Sequence, residues 1–300
     1  MNLISILLLQ KANDLLILIL IVSNVLLAIE FRLFPKYGVS NLHAIIINYF
    51  TCFCVGSIVN GALPLSADMH QTTWFPYALF LSMTFILFFN VNAFTIQKVG
   101  MVITSVFQKL SLVFPVIAGI LIFSESAELF KVVAILLAVA SIILINVPAE
   151  KDPERAAQAK RYWYWPFVVL FGSGLIEVVL FYAEQTGKVV NAGVDFVTIL
   201  FLLAGCWGFL FLVFTGKIKE YTVRDLIAGV LVGIPNFFTI YLIIKGLEIG
   251  WEGSVLFPLN NIGVIILTAL VGVGFFKEKM NYLNYTGLAL AMLSVVLISL

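Results

Sequence analysis

Charge is what this sequence has least of. Of its 300 residues only 11% are Asp, Glu, Lys or Arg, while 62% are hydrophobic; a soluble domain carries about 25% charged residues. A water-soluble fold of this length could not hide so much apolar surface, so lipid is expected to be part of its solvent. The net charge is +1, and no basic tail or nucleic-acid motif is present, so no nucleic-acid partner is expected. The three cysteines, Cys52, Cys54 and Cys206, lie inside apolar runs without zinc-ligand spacing, and they read as small buried hydrophobes. His43 and His70 stand far apart near connections, so no metal cluster is expected. No phosphate-cradling Gly-Lys-Ser/Thr loop supplies an ATP motor. No selectivity-filter sequence and no Ser/His/Asp signature stand out, and no cofactor is implied. A cleavable leader is not expected either. Residues 3–9 are apolar, but Gln10, Lys11, Asn13 and Asp14 follow, and then a full-length span begins.

What the chain has in abundance is long apolar runs. Roughly 20 apolar residues cross a bilayer core as a helix, and the pattern recurs with short polar interruptions. A transmembrane barrel would need alternating segments of about 10 residues, and these runs are continuous. The reading is an all-α integral membrane protein with ten transmembrane helices, near 15–34, 42–62, 74–96, 101–123, 128–147, 164–186, 193–215, 224–245, 252–275 and 281–299. The longest charged connection is 148–163, with two prolines and the densest charge in the chain. It divides a first five-helix unit (1–147) from a second (164–300).

The division prompts a search for a repeat. A shift of 153 residues pairs Phe123, Glu125, Leu137, Ala138, Ser141, Leu144 and Ile145 with Phe276, Glu278, Leu290, Ala291, Ser294, Leu297 and Ile298. Farther upstream a shift of 150 pairs Ser23 with Ser173, Ala78 with Ala228, Phe88 with Phe238 and Gly100 with Gly250. Two homologous halves of five spans each must enter the membrane with opposite orientation. Inverted repeats recur in secondary transporters, whose site lies near the midplane at the repeat interface.

Phe123-Ser124-Glu125-Ser126-Ala127-Glu128-Leu129 followed by Ala134 through Ile145, and Phe276-Lys277-Glu278-Lys279-Met280 followed by Gly287 through Ile298, resemble the acidic turn and small-residue helix that close each half of EamA-type members of the drug/metabolite transporter superfamily. The Gly that often precedes the Glu in that family is absent from both halves, and the Gly nine residues after it survives as Gly287 but is Ala134 in the first half. The resemblance implies ten helices in two halves and substrate contacts around a central cavity, notably from the fourth and ninth helices. It selects no substrate.

Orientation is read two ways. Arg32, Lys36, Lys98, Lys151, Arg155, Lys160, Arg161, Lys217, Lys219, Arg224, Lys277 and Lys279 fall on the side of the central linker, and Lys11, Lys131, Lys188 and Lys245 on the other. That bias puts the linker inside and both termini outside; the family resemblance implies the reverse.

Ionisable groups inside a span are costly and mark function. Lys109 sits roughly 12 Å into the fourth helix at 1.5 Å per residue, next to Gln108. A buried ammonium needs a partner, either an anionic group of a solute, a Glu of the protein, or the interface reached by snorkelling. Glu177 in the sixth helix and Glu30 in the first are its candidate partners; either is suited instead to carry a proton, with Glu177 the better candidate for proton coupling. Asn260 and Asn261 follow Pro258 in the ninth helix, and the repeat sets Asn261 opposite Gln108. Pro258 removes a backbone donor and is expected to loosen the helix there. Such amides either bind solute or join helices. Asn90, Asn92, Asn236, Tyr182 and Tyr241 are further candidates for solute contact, whereas Asn48 and Ser23 read as helix contacts. The expectation is a secondary transporter of a small polar metabolite (an amino acid, another organic acid, a sugar or a nucleotide-linked species) in the cell membrane, as a monomer or homodimer, and not an enzyme. The rivals are a noncatalytic membrane scaffold or receptor subunit, and an intramembrane enzyme acting on lipid-linked substrates with Glu177 or Glu30 as base.

Overall fold

A computed structural model describes residues 3–66, 68–124, 129–147, 161–189, 193–249, 251 and 253–298. Most of the central linker, Glu125, Gly250 and Glu252 lie outside the described residues. Described residues form helices α1 (Leu3–Tyr37), α2 (Asn41–Asn60), α3 (Phe75–Lys98), α4 (Met101–Leu110), α5 (Val113–Ile122), α6 (Leu129–Ile145), α7 (Trp165–Gln185), α8 (Gly193–Thr215), α9 (Val223–Glu248), α10 (Gly253–Gly274) and α11 (Tyr282–Ile298). Taken as one span, α4 and α5 bring the count to ten. Eight of these spans are long and apolar enough to cross a bilayer. The other two, α6 and α11, have 17 residues each, or about 25 Å of helix. The outer surface is studded with Leu18, Leu87, Leu136, Phe171, Phe214 and Leu270, all exposed, while Asn48, Thr95, Ser141 and Thr198 are fully buried. In water that distribution would be unstable. It fits a multi-pass membrane protein, whose backbone polar groups are satisfied within helices.

Proline and glycine explain the helix ends and breaks. The first helix reaches Tyr37 rather than 34, and it closes on Gly38 at φ +65°. The Gly38 and Val39 N–H groups donate to the Pro35 and Phe34 carbonyls, the double bond of a Schellman cap. Pro35 has no N–H to give the Phe31 carbonyl, and Gln97 Nε2 donates there instead at 3.1 Å. The expected fourth span is divided at Ser111–Leu112. Pro115 cannot donate to the Ser111 carbonyl, which takes the Phe114 N–H at 2.9 Å in a tighter turn. At Pro258, where loosening was expected, α10 runs on as a single helix. Pro258 stands in its second turn, and the ladder continues past the missing bond.

The helices before the central linker pack mostly on those after it. α2 lies on α9 and α3 on α8; α1 on α9 and α3 on α7; α1 on α10 and the α4–α5 span on α7. Three further pairs, α2 with α8, α4 with α10 and α6 with α11, join helices that the expected repeat would match. In the last of these the Ser141 hydroxyl donates to the Gly287 carbonyl at 2.7 Å, and the Ser294 hydroxyl to the Ala134 carbonyl at 2.8 Å. Adding 153 carries Ser141 to Ser294 and Ala134 to Gly287, so the shift exchanges one bond for the other. Ser124 and Lys277, also 153 apart, are both left-handed at φ +55°. Between α2 and α9 the backbones meet closely. A Cβ on Gly229 would fall 2.6 Å from the Ala44 carbonyl oxygen, and one on Gly233 would fall 2.8 Å from that of Asn48. Small residues at such crossings admit the close approach.

Candidate functional site

Lys109, in the last turn of α4, donates from Nζ to Asn24 Oδ1 of α1 at 3.2 Å. Asn24 in turn donates from Nδ2 to the Leu20 carbonyl of its own helix at 3.0 Å, which fixes its oxygen toward the ammonium. Glu177 of α7 comes near as well. It interacts electrostatically with Lys109 and stands against Ser111, whose hydroxyl donates to the Gln108 carbonyl. The break at Ser111–Leu112 thus brings a hydroxyl beside the carboxylate. Lys109 and Glu177 form no direct ion pair within 4.0 Å among the described residues, and Glu177 Oε2 is buried without a partner. An amine and a carboxyl group therefore lie near each other in the interior without closing on each other. Each retains bonding capacity there, which is costly in a low-dielectric interior unless something else uses it.

Asn260 and Asn261 of α10 are buried at 3% and 6% exposure, on a helix that packs against α1 and α4. Among the described residues Asn260 Oδ1 has no partner, and neither does Glu30 Oε2 of α1 or Asn92 Oδ1 of α3. Gln108 is half-buried beside Lys109. Asn90 turns its amide to the Ile86 carbonyl of its own helix at 2.7 Å. Tyr241 stacks on Phe237 with ring centres 5.4 Å apart. Tyr182 lies at the end of α7, 40% exposed and against Phe123, on the rim of the bundle. Asn236 donates to Asn48 Oδ1 at 3.0 Å, and Cys52 Sγ to the Gly233 carbonyl at 3.2 Å, so this group joins α2 to α9. Sequence reasoning missed Asn24 and Ser111. An amide in the middle of an apolar run was the available signal for Asn24.

Contacts at the helix ends gather the cationic connections on one face. Arg224 donates to the Tyr37 carbonyl at 3.3 Å, Lys98 lies over the Tyr162 ring, and His43 bonds the Lys217 carbonyl. Two buried polar side chains, Asp225 and Asn284, and the partly buried Glu278 clamp this face. Asp225 accepts the Ser40 N–H at 2.7 Å and forms a capping box with Thr222 at the start of α9. Asn284 and Asn281 cap α11 reciprocally at 2.9 Å, while Asn284 Nδ2 donates to the carbonyls of Leu144, Ile145 and Val147 at the end of α6. Glu278 accepts the N–H groups of Met101 at 2.7 Å and Val102 at 3.1 Å, at the first turn of α4, and its carboxylate is 3.9 Å from Arg32 Nε. Burial raises the Glu278 carboxyl above its ordinary value near 4.5, against the opposing pull of the two N–H groups and Arg32. On the opposite face a cavity of about 290 Å³, lined by Leu63, Met69, Trp74 and Asp195 among others, opens at the surface. Among the described residues no group of three His, Cys, Asp or Glu is placed to hold a metal ion.

No known family model matches the chain. It is 26% identical over 282 residues to an uncharacterized protein of Haemophilus influenzae, covering 92% of this chain and 94% of that one. A crystal structure that carries no functional description shares the fold over 96% of this chain and 97% of its own, with a TM-score of 0.61 and 12% identity. The eight helices long and apolar enough to cross a bilayer define the class, a multi-pass helical membrane protein.

Proposed function

We propose that this protein is a secondary transporter of a small polar solute in the cell membrane, built from two inverted five-helix repeats and working by alternating access. The carrying observation is the interior cluster in which Lys109 bonds Asn24, while Glu177 lies against Ser111, interacts electrostatically with Lys109 and keeps Oε2 without a partner among the described residues. Lys109 binds an anionic group of the solute. Gln108, Asn260 and Asn261 orient its polar parts, and Glu177 is suited to carry a coupled proton, with Glu30 as the second candidate. The repeat reading is supported by the two serine bonds that exchange under the 153-residue shift and by the matched left-handed residues Ser124 and Lys277. The same features agree with the two-half architecture that the resemblance to EamA-type drug/metabolite transporters implies. Inverted repeats set binding sites at their interface, which is where α4 and α10 meet.

The test is a melting-temperature screen of the purified protein against a metabolite panel. A solute that binds the folded state raises the melting temperature by mass action. The proposal expects a solute whose stabilisation disappears in Lys109→Met. Stabilisation that persists undiminished in that variant refutes the assigned site.

A further inference from the structure

The two helices that carry the proposed site are tied together at one end by a single side chain. Glu278 belongs to the connection between α10 and α11, yet both its oxygens are spent on α4. They accept the Met101 and Val102 N–H groups, the orphan donors of a first turn, where the helix dipole also favours a carboxylate. Gly100 makes room for it, since a Cβ there would lie 3.0 Å from the carboxyl. Arg32 of α1 stands at 3.9 Å and is held by the carbonyls of Ile96 and Gln97 at 3.1 and 3.0 Å. Beneath this tie α4 and α10 touch. A Cβ on Gly272 would fall 2.5 Å from Val102 Cγ2, and Met101, Val102, Ser105 and Val106 are buried. The way from Lys109 to the cationic face between these two helices is therefore shut.

The far ends of the same span differ. Past the Ser111–Leu112 break, α5 packs chiefly on α7, with Phe114 lying where a Cβ on Gly174 would be. The beginning of α10 packs instead through Leu256 on Gly246 of α9. The two site helices are pinned at the cationic end and take separate partners at the other.

We propose that Glu278 is the latch of a gate between α4 and α10 on the cationic face, and that the working cycle passes through a state in which its bonds to Met101 and Val102 are broken. This rests on the transporter reading above. The latch joins the first half to the second by a carboxylate whose partners are backbone groups, so it opens without unfolding either helix. Asp225 and Asn284 tie other helix pairs and leave α4 and α10 free to part.

The experiment needs no solute. Ser105 lies on the α4 face of Val102 and Lys109 by the i, i+3 and i, i+4 spacing, one turn deeper than the latch. Ser105→Cys is made in a chain with Cys52, Cys54 and Cys206 replaced by alanine, and proteoliposomes are treated with a membrane-impermeant maleimide from the cationic face. Removing the latch with Glu278→Ala is expected to raise the labelling rate about tenfold, the equivalent of about 1.4 kcal/mol. Glu278→Asp keeps the charge but falls short of the two N–H groups, and is expected to raise it as well. It carries the test if the alanine variant does not stay monodisperse. A rise of less than threefold in a folded variant overturns the latch, even where a solute binds and depends on Lys109. A tenfold rise upholds the latch, even where no solute is found and the transporter reading itself fails.

Discussion

Asn284→Ala is the substitution whose cost the structure sets most fully. The side chain is 2% exposed and serves two helix ends at once. Its oxygen accepts the Asn281 N–H at 2.9 Å, and its amide donates to the carbonyls of Ile145 and Val147 at 2.9 and 2.8 Å and of Leu144 at 3.3 Å. Alanine leaves one backbone donor and the last carbonyls of α6 without this partner. A lost cap costs about 1 kcal/mol, and a buried polar group left unsatisfied about 1–3 kcal/mol, so a total of about 2–4 kcal/mol is expected. At about 2–4 °C per kcal/mol for a chain of this size, the melting temperature in detergent falls by roughly 5–15 °C. Asn284→Asp separates the two roles. It keeps the oxygen that accepts from Asn281 but turns a second oxygen toward three carbonyls, so at neutral pH it is expected to be less stable than the alanine variant. Thermal unfolding followed by tryptophan fluorescence measures both. An alanine variant within about 0.5 kcal/mol of the parent, or an aspartate variant more stable than the alanine one, refutes the clamp.

Gly233→Leu is expected to drive α2 and α9 apart, because its first carbon already falls 2.5 Å from Thr51 Cβ and 2.8 Å from the Asn48 carbonyl oxygen. A loss above about 3 kcal/mol in denaturant unfolding is expected from overpacking and a disrupted amide cluster, and a neutral result contradicts the close crossing. Ser141→Ala and Ser294→Ala each remove one of the paired bonds between α6 and α11, and are expected to cost similar amounts of about 1 kcal/mol. A difference above about 1 kcal/mol between them in the same assay argues against equivalent roles. Glu278 predicts a pH effect. Its carboxyl is raised in the closed arrangement, so the closed form binds the proton more tightly than an open, solvated one. That contribution to closure is full below the ordinary value near 4.5 and fades as pH climbs through the raised value. Maleimide labelling of Ser105→Cys, corrected for the pH dependence of a model thiol's reaction, is therefore expected to slow on acidification across that interval. Faster labelling at the acid end contradicts the sign.

The spans were legible because a bilayer demands them. Continuous apolar runs leave little choice of structure, and the expected 252–275 and 193–215 meet Gly253–Gly274 and Gly193–Thr215 with almost no adjustment. The divided fourth span was not legible. Pro115 and Pro258 look alike in sequence, but the first stands mid-span, where Ser111 accepts a tighter bond, and the second stands in a helix that continues past it. Lys109 and Glu177 were readable as charges in the wrong solvent. Asn24 was not, because its role depends on which side of α1 faces α4. The cap that Glu278 places on α4 spans 177 residues, and that of Asp225 on Ser40 spans 185. Local pattern carries no trace of partners so distant, although the repeat search had already singled out Glu278 for its match to Glu125.

The central claim is that a polar solute crosses the membrane by way of Lys109. Its most direct test is flux of the solute identified in the melting screen into proteoliposomes holding the parent protein or folded Lys109→Met. The account predicts saturable uptake with the parent that exceeds protein-free liposomes, and uptake reduced at least tenfold in the variant. Uptake by folded Lys109→Met equal to that of the parent, or none above protein-free liposomes with either, contradicts it.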